Sequence, residues 1–327
     1  MVRNMRKKHM KIPARLLAGA VVLTLFLCLF SGAALAGPAA DYSKAAIQPL
    51  TVDEGAGLCG GMICFLKNEA SNMQQLSGVV RSADGKVVVI DGGAEDDAAH
   101  LLRVIKECGG TVDAWLITHA HNDHVGGLYM ILKDHRNEID IRNIYYCFPE
   151  REWYQQVDAY RAKMVDRLME QLASFPQERQ HKTLSAGDVI PVSEHLSIRV
   201  LNGPQKSYDS FAINSSSVMY DITIEGKHLV ILGDMGEAVG NDLMSRGVLD
   251  GIVCDYLQLA HHGQGGVGQA FYQRCAPVNC IWSTPYWLFE AGRDNCLGYQ
   301  TWRTKEWISA LGVKKNYCTA YDDVVIR

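Results

Sequence analysis

Thr118-His119-Ala120-His121-Asn122-Asp123-His124-Val125-Gly126-Gly127 is the stretch that decides the fold of this chain. It follows Asp113-Ala114-Trp115-Leu116-Ile117 directly, an apolar run that reads as a buried strand. Three histidines and one carboxylate fall within residues 119–124. Imidazole and carboxylate are the ligand types that suit Zn²⁺ or a similar divalent cation. A strand ending in a tight loop lets alternate side chains converge on one point, and Gly126-Gly127 lets the next helix start close by. One such histidine would read as a solvated loop. H-x-H-x-D-H after a buried strand reads as a metal site.

Upstream, Met62-Ile63-Cys64-Phe65-Leu66 reads as a strand. Gly78-Val79-Val80-Arg81 and Lys86-Val87-Val88-Val89-Ile90 read as a hairpin around Ser82-Ala83-Asp84-Gly85. Residues 98–108 carry helical spacing and stop at Gly109-Gly110. Downstream, residues 141–147 read as a strand and residues 150–174 as one long amphipathic helix. Strands are expected near 196–201, 218–224 and 228–232, then a helix at 237–246 and a strand at 256–260. A helix at 267–275, a strand at 278–283, a helix at 304–311 and a closing strand at 317–326 complete the pattern. Two strand-rich halves, each with helices, predict an α/β layered domain with the site between the halves.

The N-terminus has a different character. Arg3, Arg6, Lys7, Lys8, Lys11 and Arg15 form a basic head, followed by an apolar run over residues 16–30 and Ser31-Gly32-Ala33-Ala34-Leu35-Ala36. That order is the layout of a secretory signal peptide over residues 1–36. The apolar run is shorter than the ~20 residues of a spanning helix. The expectation is a secreted or extracytoplasmic protein that meets a membrane only through an uncleaved leader. Residues 37–55 read as a linker and 56–327 as the domain. Without the leader, 26 basic residues face 36 acidic ones, a net charge of −10. Tight nucleic-acid binding usually shows a basic footprint, and this composition argues against it. Nine cysteines remain outside the leader, so at least one stays unpaired within the chain. Cys59/Cys64 and Cys275/Cys280 are possible pairs in an oxidising compartment, but no C-x-x-C zinc spacing occurs, the connectivity is not deducible, and the cysteines read as structural or core residues.

The His-rich motif resembles that of the metallo-β-lactamase superfamily, and the resemblance runs from about Met62 to the C-terminus. It implies an αββα sandwich, two β-sheets flanked by helices, with two divalent metal ions. Zinc is the expected metal, with manganese or iron as alternatives. His119 and His121 would then bind metal 1, and Asp123 and His124 metal 2. Val88-Val89-Ile90-Asp91-Gly92-Gly93 resembles the family's upstream aspartate motif, making Asp91 the carboxylate that orients a ligand histidine. His228-Leu229-Val230-Ile231-Leu232-Gly233-Asp234 places Asp234 where the family has its metal-bridging aspartate. Leu259-Ala260-His261-His262-Gly263 resembles the branch that holds competence DNA-uptake hydrolase domains and secreted phosphorylcholine esterases. It implies His262 as a metal 2 ligand and His261 as a substrate or proton-transfer contact, an order that could be exchanged.

The chain departs from many family members in one respect. No histidine between the first motif and Asp234 sits in the context of a third metal 1 ligand; His135, His181, His195 and His228 are the candidates. Asn214, in Asn214-Ser215-Ser216-Ser217-Val218, or water would fill that place, or Asn214 would contact substrate. Two weaker patterns compete: Gly263-Gln264-Gly265-Gly266-Val267-Gly268 fits a dinucleotide loop, and Trp282, Tyr286, Trp287 and Phe289 could wall a substrate site or simply pack. The reading that absorbs most of these features is an exported hydrolase of phosphodiester or phosphoester bonds, working through a metal-bound hydroxide on a small-molecule or phosphoester substrate. Asp123 would orient the nucleophile and His261 would assist the leaving group. The alternatives are an exported binding protein with a silent metal site and a nuclease assisting DNA uptake.

Overall fold

The computed structural model describes residues 47–69, 72–294 and 298–327. The signal peptide expected over residues 1–36 and the first part of the expected linker lie outside the described residues. Two eight-stranded sheets organise the chain. The first runs Gln180–His181, Ile144–Tyr145, Ala114–Leu116, Val87–Asp91, Ser77–Arg81, Met62–Phe65, Val324–Ile326 and Val52–Asp53 in spatial order. The second runs Pro49–Leu50, Lys315–Cys318, Asn279–Trp282, Tyr256–Gln258, Lys227–Ile231, Tyr220–Ile224, Leu196–Val200 and Val189–Pro191.

Strand periodicity explains the layering. In Val87–Asp91, Val88 and Ile90 join an apolar cluster shared with Ile222, Leu229, Ile231 and Ile281 of the other sheet. Val87 and Val89 point the other way, into a cluster with the helices Ala98–Glu107, Asn122–Asp134 and Ala162–Ala173. Alternation by two thus puts one set between the sheets and one under helices, and both are apolar because both faces are covered. The second sheet repeats this: Val230, Leu257 and Cys280 pack under the helices Glu237–Ser245, Gln269–Cys275 and Thr301–Leu311. The result is the αββα arrangement. The sheets are also hydrogen-bonded near the motif, where Val218 N–H donates to Thr118 O at 2.8 Å and Tyr220 Oη–H donates to Ile117 O at 2.8 Å.

Four expectations need correction. The helix expected over residues 150–174 is two helices, Arg151–Val157 and Ala162–Ala173, separated by an extended Asp158 (φ −159°, ψ 90°). The expected closing strand is also two, Lys315–Cys318 and Val324–Ile326, and they lie in different sheets. Between them Asp323 turns the chain, accepting a hydrogen bond from Lys67 N–H and pairing with His100 at 2.9 Å. Residues 49–53 are no loose linker, because they pair in parallel with Lys315–Cys318 and Val324–Ile326, one strand in each sheet. Finally Cys59, Cys64, Cys275 and Cys280 are all free thiols. Cys64, Cys275 and Cys280 are buried and serve as small apolar side chains; burial pushes the Cys64 and Cys275 thiols up to about 12.

The helix Asn122–Asp134 starts inside the motif and passes very close to the turn after Asp91. A Cβ on Gly127 would lie 2.0 Å from Gly92 O, and one on Gly126 would lie 2.5 Å from Glu95 N. Both obstacles are backbone, so no rotamer change can relieve them. Gly127→Ala should therefore lose about 3 kcal/mol or more in urea unfolding, beyond the usual range for an added methyl in a packed core. A change below about 1 kcal/mol would show that the helix can shift.

Candidate metal centre

Each half of the domain delivers its site residues at strand ends. From the first sheet, Val87–Asp91 ends in Asp91, and Ala114–Leu116 leads to Thr118 and His119. His121 caps the helix that follows with extended backbone (φ −75°, ψ 151°), and Asp123 lies in its first turn, where the helix dipole favours an anion. From the second sheet, Lys227–Ile231 leads to Asp234, and Tyr256–Gln258 leads to His261 and His262. The buried Gln258 side chain fixes the first of these exits, its Oε1 accepting from Leu232 N–H and Gly233 N–H at 2.9 Å each.

The carboxylate of Asp234 is the meeting point. Its Oδ2 lies 3.3 Å from His124 Nε2, 3.5 Å from His262 Nε2, and 3.9 Å from both His119 Nε2 and His261 Nε2. His262 Nε2 is also 3.2 Å from Asp123 Oδ2, and His119 Nε2 is 3.0 Å from His121 Nδ1. Two groups result whose donor atoms each fall within 4.8 Å: His119, His121 and Asp234, and Asp123, His124 and His262.

The far side of each inner imidazole is anchored, which leaves Nε2 for the centre. Asp91 Oδ2 accepts from His124 Nδ1–H at 2.8 Å and from Thr118 Oγ1–H at 2.7 Å, while its Oδ1 accepts from Thr118 N–H at 2.8 Å. His262 Nδ1–H donates to Ser283 O at 3.0 Å. Thr118 Oγ1, having given its proton to Asp91, accepts from His119 Nδ1–H at 3.1 Å. His261 differs: its Nε2 faces the amides of Asn214 at 3.2 Å and Gln264 at 3.0 Å. The geometry therefore groups His262 with Asp123 and His124, and His261 with Asn214. Three of these residues carry left-handed backbone, Asp91 (φ 52°), His261 (φ 51°) and His262 (φ 56°). Such a conformation costs a non-glycine residue about 1–2 kcal/mol, and strain of this kind gathers at functional sites.

The remaining sequence candidates lie elsewhere. His135 pairs with Glu138, His181 stacks on Tyr145, His195 pairs with Glu225 and His228 with Asp221. Asn214 lies at the centre, buried, with no hydrogen-bond partner for its Oδ1. Three of the glycines of 263–268 serve close packing: a Cβ on Gly263 would meet Trp282 at 2.6 Å, one on Gly266 Ala260 at 2.7 Å and one on Gly268 Glu237 at 2.7 Å. Trp282 and Phe289 are core residues in edge contact at 5.5 Å. Thr118, Ser217 and Ser283 were not singled out from sequence, because hydroxyls and carbonyls that hold a ligand histidine carry no pattern of their own.

Burial and neighbouring charge pull the site residues apart. Burial opposes charge on His124, but the carboxylates of Asp234 and Asp91 outweigh it and hold its pKa well above the ordinary histidine value. The same balance, with Asp234 and Asp123 as partners, lifts His262 to about 9. Burial lowers His121 to about 3, and lowers His119 and His261 as well. Asp123 and Asp234 are held below the usual carboxylate range by His262 and His124 despite their burial. Fit to a cation can be judged on the same atoms. Asp234 Oδ1 is buried without a hydrogen-bond partner, and His124 Nε2 and His262 Nε2 are buried facing carboxylate oxygens at 3.2–3.5 Å without hydrogen-bond alignment, a costly state that a cation would relieve. The donors are all imidazole or carboxylate, the set that holds zinc. The residues fit.

Protons on His124 and His262 stand where cations would, so metal uptake must expel them. Zinc binding at pH 7 should release protons, and apparent affinity should climb as pH rises toward about 9, the value for His262. Calorimetry in buffers of different ionisation enthalpy reads this directly; heats independent of buffer would contradict it. Asp91→Asn removes the carboxylate that holds His124 and should weaken zinc about 10–100-fold in a chelator competition.

Residues 71–273, more than half of the chain, match the metallo-beta-lactamase superfamily. ComE operon protein 3 of Bacillus subtilis is 25% identical over 186 residues, 56% of this chain and 20% of the relative. Hydroxyacylglutathione hydrolase of Photobacterium profundum is 37% identical over 59 residues, 18% of this chain and 22% of that enzyme. The matched region is thus about a fifth of the length of these relatives. Among solved structures, the metallo-beta-lactamase fold protein YhfI of Bacillus subtilis aligns at a TM-score of 0.48 and 9% identity, covering 79% of this chain and 95% of that one. Zn²⁺-bound PqqB of Methylobacterium extorquens aligns at 0.48 and 13% identity, covering 81% and 99%. The first relative supports the competence-related branch to which the His-His-Gly motif points. With the αββα layers, the paired His/Asp groups and the family match in agreement, this chain belongs to the metallo-beta-lactamase superfamily, whose members are generally metal-dependent hydrolases that bind divalent metals, usually zinc.

Proposed function

We propose that the protein is an exported hydrolase of phosphodiester or phosphoester bonds that works with two divalent cations, zinc first among them. His119, His121 and Asp234 would hold one cation, and Asp123, His124 and His262 the other. The observation that carries this reading is the position of Asp234, whose one carboxylate oxygen faces both ligand groups. Bound there, the cations would make water a usable nucleophile near neutral pH and withdraw charge from the scissile oxygen.

The chain's own groups supply orientation. Asp123 sits at the mouth of the centre with one oxygen on His262, and would accept a hydrogen bond from the attacking water. His261, kept neutral by burial, offers Nε2 to two amides. It is therefore suited to contact substrate, and less suited to take a proton or to give one to a leaving group. A cavity of about 300 Å³ lined by His121, Asp123, Asn214, Asp234 and His261 opens onto this set. That is room for a small substrate.

The −10 charge without the leader favours small phosphoesters over nucleic acid. The resemblance of His261-His262-Gly263 to the DNA-uptake branch, with the match to ComE operon protein 3, favours a second reading, a nuclease assisting DNA uptake. Export rests on the basic, apolar and A-x-A order of residues 1–36; among the described residues no helix is long and apolar enough to cross a membrane.

The test is elemental analysis of the purified protein beside turnover of bis-p-nitrophenyl phosphate with and without chelator. Near two metals per chain and chelator-sensitive turnover are expected, and Asp234→Asn should bring both metal content and turnover toward background. One metal or none, with no turnover after added Zn²⁺ or Mn²⁺, would instead favour a silent binding protein.

A further inference from the structure

Between Arg151 and Ala173 the chain has no glycine or proline, and its periodicity is that of one helix. The helix nevertheless stops at Val157 and restarts at Ala162. A break without a breaker residue forfeits backbone hydrogen bonds, so something must hold it. Asp158 does. Its Oδ1 accepts from the N–H groups of Tyr160 at 3.1 Å and Arg161 at 3.0 Å, and its Oδ2 lies 3.3 Å from Arg161 Nε. The carboxylate thus fixes both the restart of the helix and the direction of the Arg161 side chain.

That direction is toward the metal centre. Arg161 lines the same cavity as His121, Asp123 and Asp234. Behind it, Ala162, Trp153 and Tyr154 are buried in one apolar cluster with Ala120, the residue between the two histidines of the H-x-H pair. The break is therefore packed onto the loop that carries the ligands, and Arg161 is held in register with them. Among the described residues lining this cavity, Arg161 is the one Lys or Arg; the other charged residues besides histidine are Asp123, Asp158, Asp209 and Asp234. No described residue accepts a hydrogen bond from either Nη of Arg161, and its side chain is 43% exposed.

We propose that Arg161 is the specificity-determining residue of the site, giving its Nη groups to an anionic oxygen of the substrate while Nε stays on Asp158. A guanidinium presents its donors as a planar fork that matches phosphate and carboxylate oxygens, which lysine cannot reproduce. The substrate class that follows is a small ester with a negative charge at or beside the scissile group. The net acidic lining disfavours a second anion elsewhere in the cavity. This inference rests on the hydrolase reading above and adds to it the charge that the site selects. The competing reading is an exposed pair that only caps a helix.

The experiment compares the wild-type protein with Arg161→Gln and Arg161→Lys, all zinc-loaded. It reads bis-p-nitrophenyl phosphate kinetics, inorganic phosphate binding by calorimetry, zinc content and melting temperature. In Arg161→Gln, KM and the phosphate Kd should each rise about tenfold or more, with a much smaller fall in kcat and zinc content unchanged. Arg161→Lys should recover only part of the loss. Unchanged KM and Kd, or an effect confined to the melting temperature, would overturn the proposal, as would a wild-type protein that binds no phosphate. If the wild type binds phosphate but turns over no diester, the phosphoester reading fails while the ratio of phosphate Kd values still decides the role of Arg161.

Discussion

A buried carboxylate that faces four imidazoles cannot stand alone, and the architecture of this protein is organised around that constraint. Asp234 is almost wholly buried, as are His119, His124 and His262. Removing ionised groups from water costs several kcal/mol each unless partners are placed with care. The partners come from both sheets, so the ends of Val87–Asp91, Ala114–Leu116, Lys227–Ile231 and Tyr256–Gln258 must arrive at one place. The close pass of the helix Asn122–Asp134 over Gly92 and the hydrogen bonds from Val218 and Tyr220 to the motif strand are what hold them there.

Much of this was legible in the sequence. A short apolar run followed by Asp91, His119 or Asp234 shows a strand that delivers a polar group to its end, and local periodicity suffices to find it. The helix at residues 98–107 was equally plain, since its spacing and its Gly109-Gly110 stop are local signals. What escaped was non-local. Within residues 150–174 the break at Asp158 has one faint local mark, an aspartate that caps the N–H groups two and three residues ahead, and the packing onto Ala120 that holds it is non-local. Nothing within residues 315–326 shows that its halves belong to different sheets. The cysteine spacings allowed pairs because separation in sequence ignores direction, but the reading of core residues holds: Cys275 ends a helix and Cys280 lies in a strand, both among apolar neighbours.

The order of His261 and His262 shows a limit of another kind. The residues are chemically identical and adjacent, so composition and spacing cannot separate them. Their backbones decide: both are left-handed, which turns His262 toward Asp123 and leaves His261 beside Asn214. Glycine would adopt this conformation freely but carries no imidazole. The strain is offset by the contacts that both rings make, the Ser283 carbonyl on one and two amides on the other.

The strand Val324–Ile326 lies between Met62–Phe65 and Val52–Asp53, so the first sheet is closed by residues far along the chain. A nascent polypeptide emerging from the ribosome can form the hairpin of residues 77–91 early, yet the edge of Met62–Phe65 stays open until residues 324–326, about 260 positions later, have been made. Long-range pairing of this kind is slow and leaves apolar edges exposed meanwhile. Completion of the first sheet thus waits for Val324–Ile326, and until that strand docks the edge of Met62–Phe65 is open to aggregation or to capture by a chaperone.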